Sequence, residues 1–409
     1  MNSLSSASPY RRALDWLYQT QVFGVKLGLD SMFRLSEALG LDLRRPGFLH
    51  VAGTNGKGST CAFLDSIGRE AGLNCGLYTS PHLVSFRERI RVGGGCIPED
   101  AVTEGLERIR RMVEWWNPHP TFFEITTALA LWWFQERGTE WAILETGLGG
   151  RLDATNVVHP MVSVLTAIGM DHQQVLGEKL GQIAREKAGI LKRGVGAVSV
   201  QQDPEAAQVL VEEAERRGTL IRWVERPWEG GVLGLRGRVQ RWNAALAVAA
   251  LEAAGVRVAP DVLDRGLAEA RWPGRFEVFS TDLILDGAHN APAASVLAQT
   301  WGEVFPGEKA SLIFGVLADK DVSAVFEALR PIAAEVILVP VRSPRALPVE
   351  RVRALLLEKD PQIPCRIAAS LEEALGKGGS NRRLVCGSLY LVGEALGLLR
   401  GELPEWSAQ

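Results

Sequence analysis

In the first half of the chain, a short apolar or β-branched run stops abruptly in polar, glycine-rich residues four times over: "PGFLHVAGTNGKGS", "CGLYTSPH", "WAILETGLGGRLDATN" and "VSVLTAIGMDH". Helix-patterned stretches lie between them, among them "TCAFLDSIGREAG", "PEDAVTEGLERIRRMVEWW", "FFEITTALALWWFQERG" and "EKLGQIAREKAGILKRG". Strands that alternate with helices pair in parallel and carry helices on both faces of the sheet. Ligands of such open sheets collect at the carboxyl ends of the strands. In this chain those ends hold the glycines and the chemistry-bearing side chains.

The stretch "ARWPGRFEVFS" breaks the rhythm with Pro273 and Gly274, and four further strand-then-turn units follow: "LILDGAHN", "SLIFGVLADKD", "EVILVPVRSPRA" and "RLVCGSLYLVGE". A chain of 409 residues is also too long for one ordinary core. We therefore expect an α/β protein of two domains with a linker near residues 271–280. Residues 1–272 would form an N-terminal P-loop NTPase-like parallel-sheet domain, and residues 273–409 a smaller C-terminal Rossmann-like α/β domain. One crevice between them, lined by strand ends from both, follows from that arrangement.

Composition narrows the partners. A net charge of −3 gives no general attraction to nucleic acid or to a membrane surface. The longest apolar runs, such as Ala244 to Leu251, are too short to span a bilayer. The start, "MNSLSSASPYRR", has no apolar segment before its first arginines and does not read as a secretory signal. Five cysteines are scattered and never spaced C-x-x-C, which favours free thiols in a reducing cytoplasm over a zinc site. A monomer is the expected state.

"HVAGTNGKGST", His50 to Thr60, sits in a strand–loop–helix context. Such a loop turns backbone N–H groups toward a ligand at a helix N-terminus and attracts phosphate. Lys57 adds a point charge for the β and γ phosphates, and Ser59 or Thr60 is placed to face Mg²⁺. The strict G-x-x-x-x-G-K-[ST] spacing is not met, because Val51 stands where the first glycine belongs and Gly58 follows Lys57. A glycine-rich connection with an incidental lysine is the competing reading. Glu145 ends an apolar strand where a metal-holding carboxylate belongs beside a phosphate loop, or it caps the next turn. Asp171 and His172 close another strand. A neutral imidazole there ligates metal or orients phosphate, although a loop histidine satisfied locally is the commoner case.

Ten segments in order resemble the folylpolyglutamate synthase / dihydrofolate synthase family of the Mur ligase superfamily: "GTNGKGS", "TSPHL", "FRERI", "ETGLGGRLDATN", "GMDHQQVLG", "IAREKAGILK", "RWNAALA", "PGRFEV", "LDGAHN" and "SPRA". The resemblance implies an ATP-dependent amide ligase. ATP phosphorylates a carboxylate of dihydropteroate or a reduced folate, and the amine of L-glutamate displaces the phosphate. It also implies two Mg²⁺ ions, with monovalent K⁺ as a further candidate.

By the same resemblance Thr54, Asn55, Gly56, Lys57, Gly58 and Ser59 form the triphosphate cradle, and Ser80, Glu145 and His172 are metal ligands. Ser80, which precedes a proline, also fits a plain turn start. Lys187 of "REKAGI" matches a lysine that carries a CO₂-derived carbamate and helps hold metal. An unmodified lysine near a helix C-terminus is the alternative. Asn243 is placed at the adenine end of the nucleotide, although it opens an Ala-rich helix where an N-cap is the default. Arg275 is implied at the phosphates and Asp286 at the ribose. His289 is implied at glutamate, or else is a loop histidine bonded locally. Arg345 faces glutamate carboxylates. The candidate pterin walls are "TSPHLVSFRERI" and "HPTFFEITT", the second carrying Phe122, Phe123 and Glu124, whose two rings also read as core; Arg151 and Asp153 are candidates for the substrate's polar edge and also read as supports of a glycine turn.

Three other readings compete. A peptidoglycan-type Mur ligase usually carries an extra N-terminal domain. A P-loop kinase or motor leaves the motifs of the second half without a purpose. A non-catalytic nucleotide switch has no need of Glu145, His172 and Lys187 together.

Overall fold

The computed structural model describes residues 8–24, 28–376 and 381–405. Among these residues fourteen strands form two sheets. The first holds β1 (Gly47–Ala52), β2 (Cys75–Tyr78), β3 (Ile90–Val92), β4 (Gly95–Cys96), β5 (Trp141–Glu145), β6 (Val162–Leu165), β7 (Gly196–Val200) and β8 (Ile221–Val224), in the order β4-β3-β2-β5-β1-β6-β7-β8. All pairs are parallel except those made by β3 and β4. The strands at its centre are buried on both faces: β5 and β6 along their whole length, and β1 in all but its first residue. That is why they read as unbroken apolar runs in the sequence.

β1 is the pivot of this sheet. The chain crosses from β1 to β2 in one direction and from β5 to β6 in the other, past β1. Such a reversal opens a crevice at the strands' carboxyl ends, where the four glycine-rich segments lie. Helices Phe122–Glu136, Glu99–Val113 and Pro9–Gln19 cover one face. Helices Lys57–Glu70 and Arg238–Ala253 cover the other, backed by Pro260–Glu269.

The second sheet holds β9 (Glu277–Ser280), β10 (Leu283–Leu285), β11 (Ala310–Phe314), β12 (Ala333–Leu338), β13 (Cys365–Ile367) and β14 (Arg382–Cys386), in the order β13-β12-β11-β14-β10-β9. Only β9 runs antiparallel, against β10 at the sheet edge. The connection expected over residues 271–280 is therefore shorter, since Glu277–Ser280 is strand. Pro273 and Gly274 lie in the middle of the irregular stretch, which runs from the end of helix Pro260–Glu269 to the start of β9.

Helix Leu389–Arg400 packs on this sheet and buries Glu394, which is 4% exposed and accepts the backbone N–H of Arg342 at 2.6 Å. Burial pushes its carboxyl up to about 7. In the unfolded chain the same group ionises in the ordinary carboxylate range, so its contribution to stability is intact at pH 4 and is lost as pH rises to 7. Glu394→Gln keeps an acceptor for Arg342 and cannot ionise. We expect it to match the parent in urea melts at pH 4 and to exceed it by about 1–3 kcal/mol at pH 8.

Candidate active site

The turn after β1 is shaped by two glycines. Gly53 has φ +152°, and a Cβ there would collide with Thr166 Oγ1. Gly56, at φ +93°, would place a Cβ 2.7 Å from Asn243 Oδ1. Gly53 therefore does the work of the glycine that the strict spacing puts at position 51. The loop is tied to the residues after β6, because Thr54 N and Asn55 N both donate to Ala167 O at 2.8 and 3.1 Å. Thr54 Oγ1 also bonds Gly169. The first intrahelical bond runs from Thr60 N to Gly56 O, so the amides of Lys57, Gly58 and Ser59 have no acceptor in a preceding turn and face outward as an anion site.

Two lysines converge on this loop. Lys57 Nζ donates to Gly53 O at 3.1 Å and to Thr54 O at 3.3 Å, and Lys187 Nζ donates to the same Gly53 O at 2.9 Å. Lys187 is 5% exposed; burial first, and the charge of Lys57 second, push its pKa down to about 7. Glu145, at the end of β5, accepts the N–H of Ser80 at 3.1 Å and lies 4.0 Å from Lys57 Nζ. Burial raises its carboxyl against the pull of Lys57. A buried carboxylate with so little compensation suits a bound cation. His172 has a left-handed backbone, φ +51°, and burial, reinforced by Lys320, Lys57 and Lys187, lowers it to about 4, leaving a neutral imidazole. Among the described residues no three His, Cys, Asp or Glu side chains stand clustered as a ready metal cage. Glu145, Ser80, His172 and Lys187 nonetheless line one cavity. A carboxylate, a hydroxyl and an imidazole are donors that fit Mg²⁺ alongside phosphate oxygens.

That cavity, about 630 Å³, lies between the two sheets' lobes, with walls from both. From the second lobe come Arg275, Asp286, His289 and Arg345. Asp286 spends one lone pair of each oxygen on its own surroundings, accepting Phe276 N and Ala288 N at 2.8 Å. Phe276 is a bulky residue held at φ +40°, an unusual conformation next to Arg275. His289 Nδ1 bonds Gly287 O at 2.8 Å, and Arg345 pairs with Asp319 at 3.0 Å. Asn243 lies in the second turn of helix Arg238–Ala253, so it is not an N-cap; its amide donates to Gln240 Oε1 at 2.9 Å, and its Oδ1 faces Gly56.

The aromatic pair divides. Phe123 lines the cavity, whereas Phe122 is 1% exposed and packs against Tyr18 and Phe86. Glu124 lines the cavity while bonding Thr121 N and Oγ1 at the start of its helix. Asp153 reaches the cavity, and its carboxylate holds the glycine turn through Gly147 N and Leu148 N, both at 2.9 Å. Arg151 leans outward onto Glu186 at 2.8 Å. Arg89 falls inside the expected pterin wall "TSPHLVSFRERI" without having been singled out there; it is a lining residue 1% exposed whose Nε donates to His82 Nδ1 at 2.8 Å and whose two terminal nitrogens have no hydrogen-bond partner among the described residues. Sequence reasoning assigned no role to Lys320 or Asn290. Among the described residues no helix is long and apolar enough to cross a membrane.

Residues 274–381 match the Mur ligase, glutamate ligase domain. Such a domain packed across a cavity from a phosphate loop is the build of the Mur ligases, and the protein is an ATP-dependent acid–amino-acid ligase of that class. Whole-chain relatives give the branch. The dihydrofolate synthase/folylpolyglutamate synthase of Bacillus subtilis is 35% identical, over 94% of this chain and 98% of the relative. The structure of Escherichia coli FolC in complex with DHPP and ADP superposes with a TM-score of 0.85 at 32% identity, covering 97% of this chain and 98% of that one. The bifunctional Yersinia pestis enzyme, complexed with AMPPNP and a Mn ion, gives 0.84 at 31% identity, covering 98% and 100%. The chain belongs to the dihydrofolate synthase/folylpolyglutamate synthase family.

Proposed function

We propose that the protein joins L-glutamate through an amide bond to dihydropteroate, to reduced folates, or to both, with ATP cleaved to ADP and phosphate. The observation that carries this reading is the shared cavity: Lys57 and Glu145 on one wall, Phe123 beside them, and His289 and Arg345 opposite. A carboxylate oxygen leaves poorly and phosphate leaves well, so activation divides one hard step into two easier ones. In the first, a substrate carboxylate oxygen bonds to the γ-phosphorus and ADP departs. In the second, the glutamate nitrogen bonds to the acyl carbon, the phosphate leaves and the nitrogen gives up a proton.

The loop amides, Lys57 and Arg275 hold the triphosphate and offset its charge. Asn243 and Asp286 face the nucleoside. Ser80, Glu145, His172 and a carbamylated Lys187 would hold Mg²⁺, which when bound neutralises charge on the transferring phosphoryl group. Phe123, Glu124 and Asp153 border the pterin, and His289 and Arg345 receive glutamate. We place the division between the lobes near residues 272–273. A cytoplasmic setting is supported by five cysteines that are all free, and a monomer stays the expected working state.

The test is phosphate release from ATP with L-glutamate plus dihydropteroate or tetrahydrofolate. We expect release that depends on both glutamate and at least one pterin, and the pair of substrates sorts one activity from two. Release without glutamate would point to a generic ATPase, and none at all to a nucleotide switch. Either result overturns the proposal.

A further inference from the structure

An acyl phosphate survives only while water is kept from it, so a ligase of this kind has to hold its lobes shut between the two steps. Asp171, Asn290 and Lys320, given no part in the chemistry above, meet where the lobes touch. Asp171, in the loop after β6, accepts Lys320 Nζ at 2.7 Å and Asn290 Nδ2 at 3.1 Å, and lies 3.8 Å from His289 Nε2. Asp171 belongs to the first lobe; the other three belong to the second. Both members of the Asp171–Lys320 pair are largely out of water, with side chains 11% and 9% exposed. A charge pair so placed is demanding in geometry, and removing one partner leaves the other buried alone.

Asn290 extends the contact to the phosphate loop. Its Nδ2 donates to Asn55 Oδ1 at 3.2 Å and its Oδ1 accepts Asn55 Nδ2 at 3.3 Å, while the same Oδ1 caps helix Ala291–Val304 through Ala293 N at 3.0 Å. One amide thus serves the cap, the phosphate loop and Asp171, using both its donor and its acceptor. Only a side chain with both functions satisfies all three.

We propose that Asp171 and Asn290 are positioning residues that form a latch: it fastens the second lobe to the phosphate loop and so couples ATP cleavage to amide formation. The inference rests on the ligase reading above. When the latch fails, the lobes part, water reaches the acyl phosphate, and ATP is consumed without product.

Asn290→Asp is the discriminating variant. Aspartate is as good an N-cap as asparagine, so the helix is kept, but a second carboxylate now opposes Asp171. We expect the ratio of phosphate released to amide formed to rise from about one to about three or more, with the KM for ATP little changed. A ratio that stays at one in Asn290→Asp overturns the latch, whatever happens to kcat. Small-angle scattering reads the latch without chemistry: Asn290→Asp should have a larger radius of gyration than the parent, and equal radii overturn the inference. Failure of the parent to form any amide overturns the ligase reading instead and leaves the scattering result to decide the latch.

Discussion

Lys57→Ala is expected to lower kcat about 10³-fold, the scale seen when a positioned charge or donor is removed from a transition state. The reason lies in where the ammonium rests. It bonds Gly53 O and Thr54 O at the lip of the phosphate loop and stands 4.0 Å from Glu145. Those carbonyls border the cavity, where water can replace the lysine. The melting temperature should therefore move little while turnover collapses. Charge on the γ-phosphoryl oxygens grows as the bond to ADP breaks, so the loss should fall on kcat more than on the KM for ATP. Lys57→Arg should recover little, because a flat guanidinium does not replace a point charge seated between two carbonyls. Steady-state phosphate release measures both variants. Full turnover in Lys57→Ala would remove Lys57 from the phosphate cradle.

How much of this could be read beforehand depended on the range of each interaction. β1, β5 and β6 announce themselves because strands buried on both faces are written in apolar residues. β3 and β4 are short and partly exposed, and β8 carries an arginine and a tryptophan on an edge, so none has a comparable signature. Phe122 and Phe123 are neighbours in sequence, but adjacent helical positions diverge by about 100°, and one ring goes to the core while the other goes to the cavity. Asn243 looked like a cap because the alanine run starts there, whereas the helix starts at Arg238. Arg89 lies in a segment expected to wall the pterin, but nothing in the sequence set it apart there: arginine is almost never fully buried, and only the packing of His82 and Phe122 around it makes its burial visible. Asp171, Asn290 and Lys320 come together only when two lobes dock, and no local pattern encodes a contact of that kind. Motifs therefore located the loop and the strand ends, and the fold supplied the pairings.

Lys187→Ala should lower turnover about 10- to 100-fold, the loss expected when support of a metal site is removed, and short carboxylic acids should restore part of it. The unmodified lysine is poorly placed as a cation. It shares Gly53 O with Lys57 and is 5% exposed, and burial with that neighbouring charge brings its pKa down to about 7. A substantial fraction of the amine is then neutral near pH 7, and the neutral amine is the form that attacks CO₂. The nitrogen bonds to carbon and loses a proton, and the product is an anion. With such a carbamate, repulsion from Lys57 would become attraction, and the cavity would gain an oxygen donor beside Glu145 and His172, which line it too. Alanine leaves space where formate or acetate can put a carboxylate back, so activity should rise and saturate with added acid at constant ionic strength. Lys192 is the control. It is also shifted down, to about 8, but it donates to Asn156 O and does not line the cavity, so Lys192→Ala should show no such rescue. Undiminished turnover in plain Lys187→Ala would mean that this nitrogen carries no carbamate the reaction needs, and Glu145 and His172 would then have to meet the metal without it.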